Sequence, residues 1–264
     1  EVDLMFFDDS SPSELIKHVH INQFSEETWG DDRFVLFHLA LGENEDLSHA
    51  RTVVTVANAH DKVMDVLGKF PPNTISKTDL LDNLIFQSSS QWDTSALMPM
   101  YGETYVYGIY KGVPVPNIEM KRMLARIDVE NKVNGSIFKL EKIHLANYRT
   151  SGFIAPAWSH HTGLIIGEWE HTYPYSRNMD PMVPSGFTVN PPIEYSYSQY
   201  DNLPGPLMEG LIYTYEAPKA TPNEKVCLVL EGLYKGVRTY YRVDFTSDRE
   251  AHEDYEVFRG DDVP

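Results

Sequence analysis

Cysteine is almost missing from this chain: Cys227 is the only one among 264 residues. A lone thiol excludes an internal disulfide framework and any zinc centre built on several cysteines. In its setting, KVCLVLEGLY, it reads as a small buried apolar side chain. Long hydrophobic runs are missing too, and no stretch reaches the roughly 18 apolar residues that a membrane-crossing helix needs. Basic residues are scarce, 22 Lys and Arg against 39 Asp and Glu, for a formal charge of −17. A field of that sign repels phosphate backbones, so nucleic acid is not an expected partner, and adsorption to anionic lipid is opposed. The GxGxxG and Walker loops, the GxSxG nucleophile elbow and the calcium-loop pattern do not occur. No cofactor is expected. Glu1 opens on folding-type sequence without the charged start and apolar core of a signal peptide, so the chain is expected to be either cytosolic or already freed of its export segment.

What is present leans toward strand. Tyr, Phe and Trp make up 12% of residues, prolines number 17, and β-branched alternating runs recur between turn residues. EVDLMFF is a short strand ending at the turn Asp8-Asp9-Ser10-Ser11-Pro12. A polar stretch to Arg33 is followed by Phe34–Leu41, a strand apolar on both faces. RTVVTVA (51–57) is the next strand. Asn58 is placed to cap a helix near 59–70, with Val63, Val66, Leu67 and Phe70 on one face; Pro71-Pro72 stops it. Ser76 and Asp79 form a capping pair for a second short helix near 76–86, with Leu80, Leu81, Leu84 and Ile85 inward.

GETYVYGIY reads as a further strand. From Met120 to Val133 the alternation is clean, with Met123, Ala125, Ile127 and Val129 facing one way and Leu124, Arg126, Asp128 and Glu130 the other. Asn134-Gly135 is the strongest short turn signal, and the domain boundary is set there. In IFKLEKIHLANY the apolar phase slips near Glu141-Lys142, as a β-bulge produces. Residues 149–206 are rich in Pro, Tyr, Ser and Asn and read as a long loop region. GLIYTYEA, VCLVLEGLY and TYYRVDFT restore order; in the last, Thr239, Tyr241, Val243 and Phe245 share a face. The pattern predicts an all-β protein with two short helices, folded as two antiparallel β-sandwiches, residues 1–134 and 135–264.

Candidate chemistry is thin. His18 and His20 would share one face of a strand, and His160, His161 and His171 are further possible ligands. Without an acidic or cysteine partner at familiar spacing, surface or satisfied histidines is the expected reading, with no metal. The carboxylate pairs Asp8-Asp9, Glu26-Glu27, Asp31-Asp32 and Asp261-Asp262 follow from the acidic composition, and a glycosidase needs carboxylates converging from different elements. Arg259-Gly260-Asp261 and the sequon Asn134-Gly135-Ser136 are too short to carry weight. No catalytic residue is assigned. The aromatic set Trp158, Trp169, Tyr173, Tyr175, Tyr195, Tyr197 and Tyr200 suits either an adhesive, sugar-stacking surface or the closing of sandwich ends. A glycan-binding module and, more remotely, a secreted glycosidase are the rival functional readings.

Three segments together carry a family resemblance. KRMLARIDVENKV followed by IFKLEKIHLANY resembles the junction between the two domains of fimbrillin-like proteins, the type V pilus subunits of Bacteroidales. Arg122, Ala125, Arg126, Ile127, Asp128, Val129 and Asn147 fill the places of that pattern. RTVVTVANAHD, with Ala57 and Asn58, and ALMPMYGE, with Pro99, Met100 and Gly102, resemble two further family segments. IYTYEA, VLEGLYKG and TYYRVDF are similar to the elements of its second half. The family's Arg-Asn-x-x-Tyr element is replaced here by Arg259-Gly260.

The resemblance implies two transthyretin-like sandwiches in tandem, export as a lipoprotein precursor to the outer membrane, and a structural, accessory or tip role without enzymatic activity. It implies other fimbrial subunits as partners, joined when a strand from one fills a groove in the next. Val2, Leu4 and Phe6, with Met123, Ala125, Ile127 and Val129, are the expected groove residues. Trp158, Trp169, Tyr173 and Tyr175 are the expected adhesive aromatics.

Overall fold

The computed structural model describes residues 1–10, 12–29, 32–36, 38–40, 42, 45–87, 91–156, 192–215, 226–245 and 262–263. The protein is all-β, a sandwich architecture with two short helices. The chain divides into two compact units. One holds Glu1–Ile85, Met98–Lys121 and the described part of Ile154–Tyr173; the other holds Phe86–Leu97, Arg122–Phe153 and the described part of Pro174–Pro264.

The elements of the first stretch are β1 (Val2–Phe7), β2 (Leu15–Ile21), β3 (Ser25–Trp29), β4 (Asp32–Leu36), β5 (Thr52–Ala57), α1 (His60–Leu67), α2 (Lys77–Asn83), β6 (Ile85–Gln87), β7 (Met100–Tyr105) and β8 (Lys121–Arg122). Five of them make a sheet in the order β2-β1-β5-β7-β8. Strand alternation sends Leu4, Phe6 and Val53 to one face, where Leu47, Ala50, Val106 and Ile109 from connecting segments cover them. Met5, Phe7, Val54 and Val56 point the other way and are buried, and α1 packs against β1 and β5. Helix α1 turns Val63 and Val66 inward, and α2 turns Leu80 and Leu81 inward. The Ser76 hydroxyl accepts from the Asp79 amide at 3.0 Å and donates to its carboxylate at 2.6 Å, so the expected capping pair forms.

Three expectations for this unit need correction. Residues 15–21 are not a polar connector but β2, which reaches antiparallel register with β1 through the pair Asp3↔His20. The run expected as a strand over Phe34–Leu41 starts at Asp32 and stops at Leu36. Among the described residues it pairs only with β3, and Val35 and Leu36 are exposed, so its apolar character marks no core strand. Asn58 does not cap α1: it sits in the left-handed region (φ 58°) and gives its side-chain amide to the Met98 carbonyl, while Ala59 holds the cap position.

The second unit contains β9 (Leu124–Glu130), β10 (Phe138–Ala146), β11 (Ser151–Phe153), β12 (Ile193–Ser196), β13 (Leu207–Tyr215), β14 (Cys227–Tyr234), β15 (Val237–Asp244) and β16 (Asp262–Val263). One sheet runs β12-β10-β14-β15 and another β13-β9-β16. Their inner faces share one core, in which Ala125 and Ile127 of β9 meet Leu140, Ile143 and Leu145 of β10 and Leu228 of β14. The phase slip expected at Glu141-Lys142 is there: the β10–β14 register shifts between Leu140 and Lys142. Cys227 is buried as expected, and burial pushes its thiol upward from the ordinary value.

The boundary expected at Asn134-Gly135 lies instead near Lys121–Arg122, because β9 belongs to the second core. Nor is Asn134-Gly135 a two-residue hairpin, since β9 and β10 are in different sheets. The Asn134 side chain accepts from the Ser136 amide at 2.9 Å, and its carbonyl accepts from the Ile137 and Phe138 amides. Glycine is required at 135 by proximity, because a Cβ there would stand 2.3 Å from the Tyr200 carbonyl oxygen.

Buried polar groups pin this unit's connections. Gln199 accepts from Asn131 and from the Leu140 amide through Oε1, and donates to the Val133 and Leu203 carbonyls through Nε2. The Tyr197 hydroxyl accepts from the Asn131 amide and donates to the Pro206 carbonyl. Tyr195 and Tyr197 are therefore core residues, so the closing of the sandwich is the reading that holds for both, while Tyr200 is exposed.

Candidate strand-addition site

The expected groove residues lie on interior strands. β1 is hydrogen-bonded to β2 along one edge and β5 along the other, so an added strand has no backbone to pair with at Val2, Leu4 and Phe6. Leu4, Phe6, Met123, Ala125 and Ile127 are buried; Val2 and Val129 are half-buried. The groove assignment at β1 is thus corrected: these side chains are already used by their own core.

β9 differs. Its first edge is taken by β13, with a bulge between Met208 and Ile212 where the Gly210 amide donates to the Asp128 carboxylate at 2.9 Å. Its second edge is paired only at Arg126 and Ile127, in parallel, by β16. Among the described residues, five of the seven positions of β9 therefore have no neighbour on that side.

Among the described residues the facing sheet has four strands, against two longer strands and a two-residue third in the β9 sheet. β15 lies at its edge with β14 as its only neighbour among the described residues. Val237, Thr239, Tyr241, Val243 and Phe245 share its inner face by alternation. Of these, only Phe245 is buried. Val237 is 67% exposed, and Tyr241 and Val243 stay open although Tyr241 meets Phe138 edge-to-face at 5.2 Å between centroids. Among the described residues, then, the second unit has two open features: the β9 edge that β16 pairs at only two positions, and the apolar inner face of β15.

The outer face of this sheet is occupied. His144 Nε2 lies 2.8 Å from Glu231 Oε2, Arg238 bonds the other Glu231 oxygen and reaches Glu141 at 3.1 Å, and Lys142 pairs with Glu194 at 2.9 Å.

Trp158, Trp169, Tyr173 and Tyr175 lie outside the described residues, as do His160, His161, His171 and the tripeptide at 259–261. A constellation the sequence did not disclose sits in the first unit. Asp3, wholly buried on β1, has three imidazoles around one carboxylate oxygen: His18 Nε2 at 2.8 Å, His20 Nδ1 at 3.2 Å and His60 Nδ1 at 2.8 Å. The two β2 histidines share a face as their spacing requires. The signal that could have found their partner is the strand register that sets Asp3 opposite His20.

Neither a protein-family model nor a curated protein sequence matches the chain. Among solved structures it is similar to the tip fimbrial protein Mfa3 from Porphyromonas gingivalis with C-terminal truncation. The TM-score is 0.51 and the identity 15%, over 98% of this chain and 85% of that one. The likeness is one of fold, and it extends through both units.

Proposed function

We propose that this chain is a structural or accessory subunit of a cell-surface fimbria and that it takes a strand from a neighbouring subunit beside β9. The observation that carries the reading is the β9 edge, paired at only two positions among the described residues, together with the open inner face of β15. Unpaired backbone and uncovered apolar side chains are both satisfied by an added extended segment. Such a segment would continue the β9 sheet and lay alternate side chains over Val237, Tyr241 and Val243. β16, holding two positions, would be the piece displaced. Fold-level similarity to a tip fimbrial protein supports the same assignment, and a non-enzymatic role, export and outer-membrane association belong to it.

The test uses the chain produced in its native host from its own gene, with Val129→Cys or Val243→Cys. Polymers sheared from the cell surface are expected to contain the chain, cross-linked at either position to an adjacent subunit. Abundant chain at the surface that never enters polymers would sink the proposal. A glycan-adhesin reading rests on aromatics outside the described residues, and nothing in the described ones favours it.

A further inference from the structure

We propose that Asp3, His20 and His60 form a binding site for one divalent transition cation, with Asp3 Oδ1, His20 Nδ1 and His60 Nδ1 as the ligands and His18, whose Nε2 lies 2.8 Å from the same oxygen, beside them. The three ligand atoms lie within 4.8 Å of one another. In a four-coordinate zinc site with bonds of about 2.0–2.1 Å, neighbouring ligand atoms stand about 3.3 Å apart. The separations of His20 Nδ1 and His60 Nδ1 from Asp3 Oδ1, 3.2 and 2.8 Å, are close to that spacing.

Hydrogen bonding alone accounts poorly for this arrangement. A carboxylate offers two oxygens with about two acceptor directions each. Yet all three imidazoles converge on Oδ1, while Oδ2, equally buried, has no partner among the described residues. A network built only to satisfy a buried carboxylate would divide its donors between both oxygens. Convergence beside one carboxylate oxygen gathers the donor atoms into one small region, and the His20 and His60 rings lie tilted against each other with centroids 3.8 Å apart.

The donor set selects the ion. Imidazole nitrogens with one carboxylate suit zinc, cobalt or nickel; calcium and magnesium prefer all-oxygen shells. Access follows from burial: Asp3 is at the bottom with 0% side-chain exposure, whereas His18, His20 and His60 keep 18, 28 and 26%. The ligands come from β1, from β2 at the sheet's edge, and from the first residue of α1. A bound cation would staple that edge strand and the helix to the sheet, and so add to the stability of the folded chain. This site is in the first unit and does not depend on the fimbrial reading.

The experiment is titration of the tag-free full chain, stripped with chelator, with cobalt(II) at neutral pH. One equivalent is expected to give the intense visible bands of a four-coordinate centre, to be displaced by zinc, and to raise the thermal midpoint by about 5 °C at saturating metal. His20→Gln and His60→Gln should each weaken the cobalt affinity at least about tenfold, while the exposed-site control His49→Gln leaves it unchanged. Should a ligand variant fail to fold, the imidazole nitrogen shifts of the unmutated chain on zinc addition decide, and they must move at His20 and His60. Weak six-coordinate bands only, or four-coordinate bands undiminished in both ligand variants, or zinc-induced shifts confined to other histidines, would overturn the proposal.

Discussion

β1 and β15 each carry two adjacent aromatic residues, Phe6-Phe7 and Tyr240-Tyr241, and adjacent residues on a strand face opposite sides. In β1 both sides are filled, leaving Phe6 1% and Phe7 0% exposed; in β15 neither is, and Tyr240 and Tyr241 are 59% and 43% exposed. The difference is position. β1 has a strand on each edge and covered faces; β15, among the described residues, has β14 as its only neighbour and an open inner face. The same local pattern is core in one place and available surface in the other. The largest way to break this comparison is Phe6→Ala, which should cost about 3–5 kcal/mol in denaturant unfolding because its space cannot collapse. Tyr241→Ala should cost about 1 kcal/mol, the value of its edge-to-face contact with Phe138 and little more. Equal losses would mean that β15 is as much core as β1.

The second unit allows a sharper contrast between buried polar groups. Gln199 is fully used, with two accepted and two donated hydrogen bonds. Gln199→Ala strands the Leu140 amide and two carbonyls, and a loss of about 2–3 kcal/mol is expected by chemical denaturation. The hydroxyl of Tyr195 is buried with no partner among the described residues. Tyr195→Phe should therefore be neutral or stabilising by up to about 1 kcal/mol at neutral pH.

Alkali reveals the same residue a second way. Burial, with a smaller contribution from Tyr148, pushes the Tyr195 phenol up to about 12 from 10.0. The folded state therefore holds its proton in a range where the unfolded state releases it. The associated stability is whole below pH 10 and is lost as pH rises toward 12. Tyr195→Phe should flatten the alkaline limb of melting temperature against pH. An unchanged limb would show that Tyr195 is not the group responsible.

Local features were legible in the sequence: the Ser76–Asp79 capping pair, the slip at Glu141-Lys142 and the buried Cys227. Each is decided by neighbours within a few residues or by a strong preference of one side chain. Tertiary features were not. Whether Tyr241 or Val243 is covered depends on a facing strand far away in the chain, and alternation looks the same with or without it. Asp3 and His20 are separated by a turn whose closure sets their register, so the HVH pattern showed two histidines and hid the carboxylate. The boundary at Asn134-Gly135 failed for the same reason: turn chemistry marks where a chain bends, whereas domains divide where cores do.

The smallest expected effect concerns the occupied outer face. Hydrogen bonding from His144, opposed by burial and reinforced by Arg238, holds the Glu231 carboxyl below the ordinary glutamate value of 4.5. A depressed carboxylate contributes its stability above the unfolded value, and the contribution is lost as pH falls through the folded one. Glu231→Gln should therefore lower the melting temperature by a small constant amount above about pH 5, with the two curves converging below 4.5. Added salt should shrink the gap at neutral pH, because Arg238 is largely solvated and its attraction is screened. If the gap survived both acid and molar salt, Glu231 would be acting through packing, and the outer face would be as much a candidate docking surface as the open edge of β9.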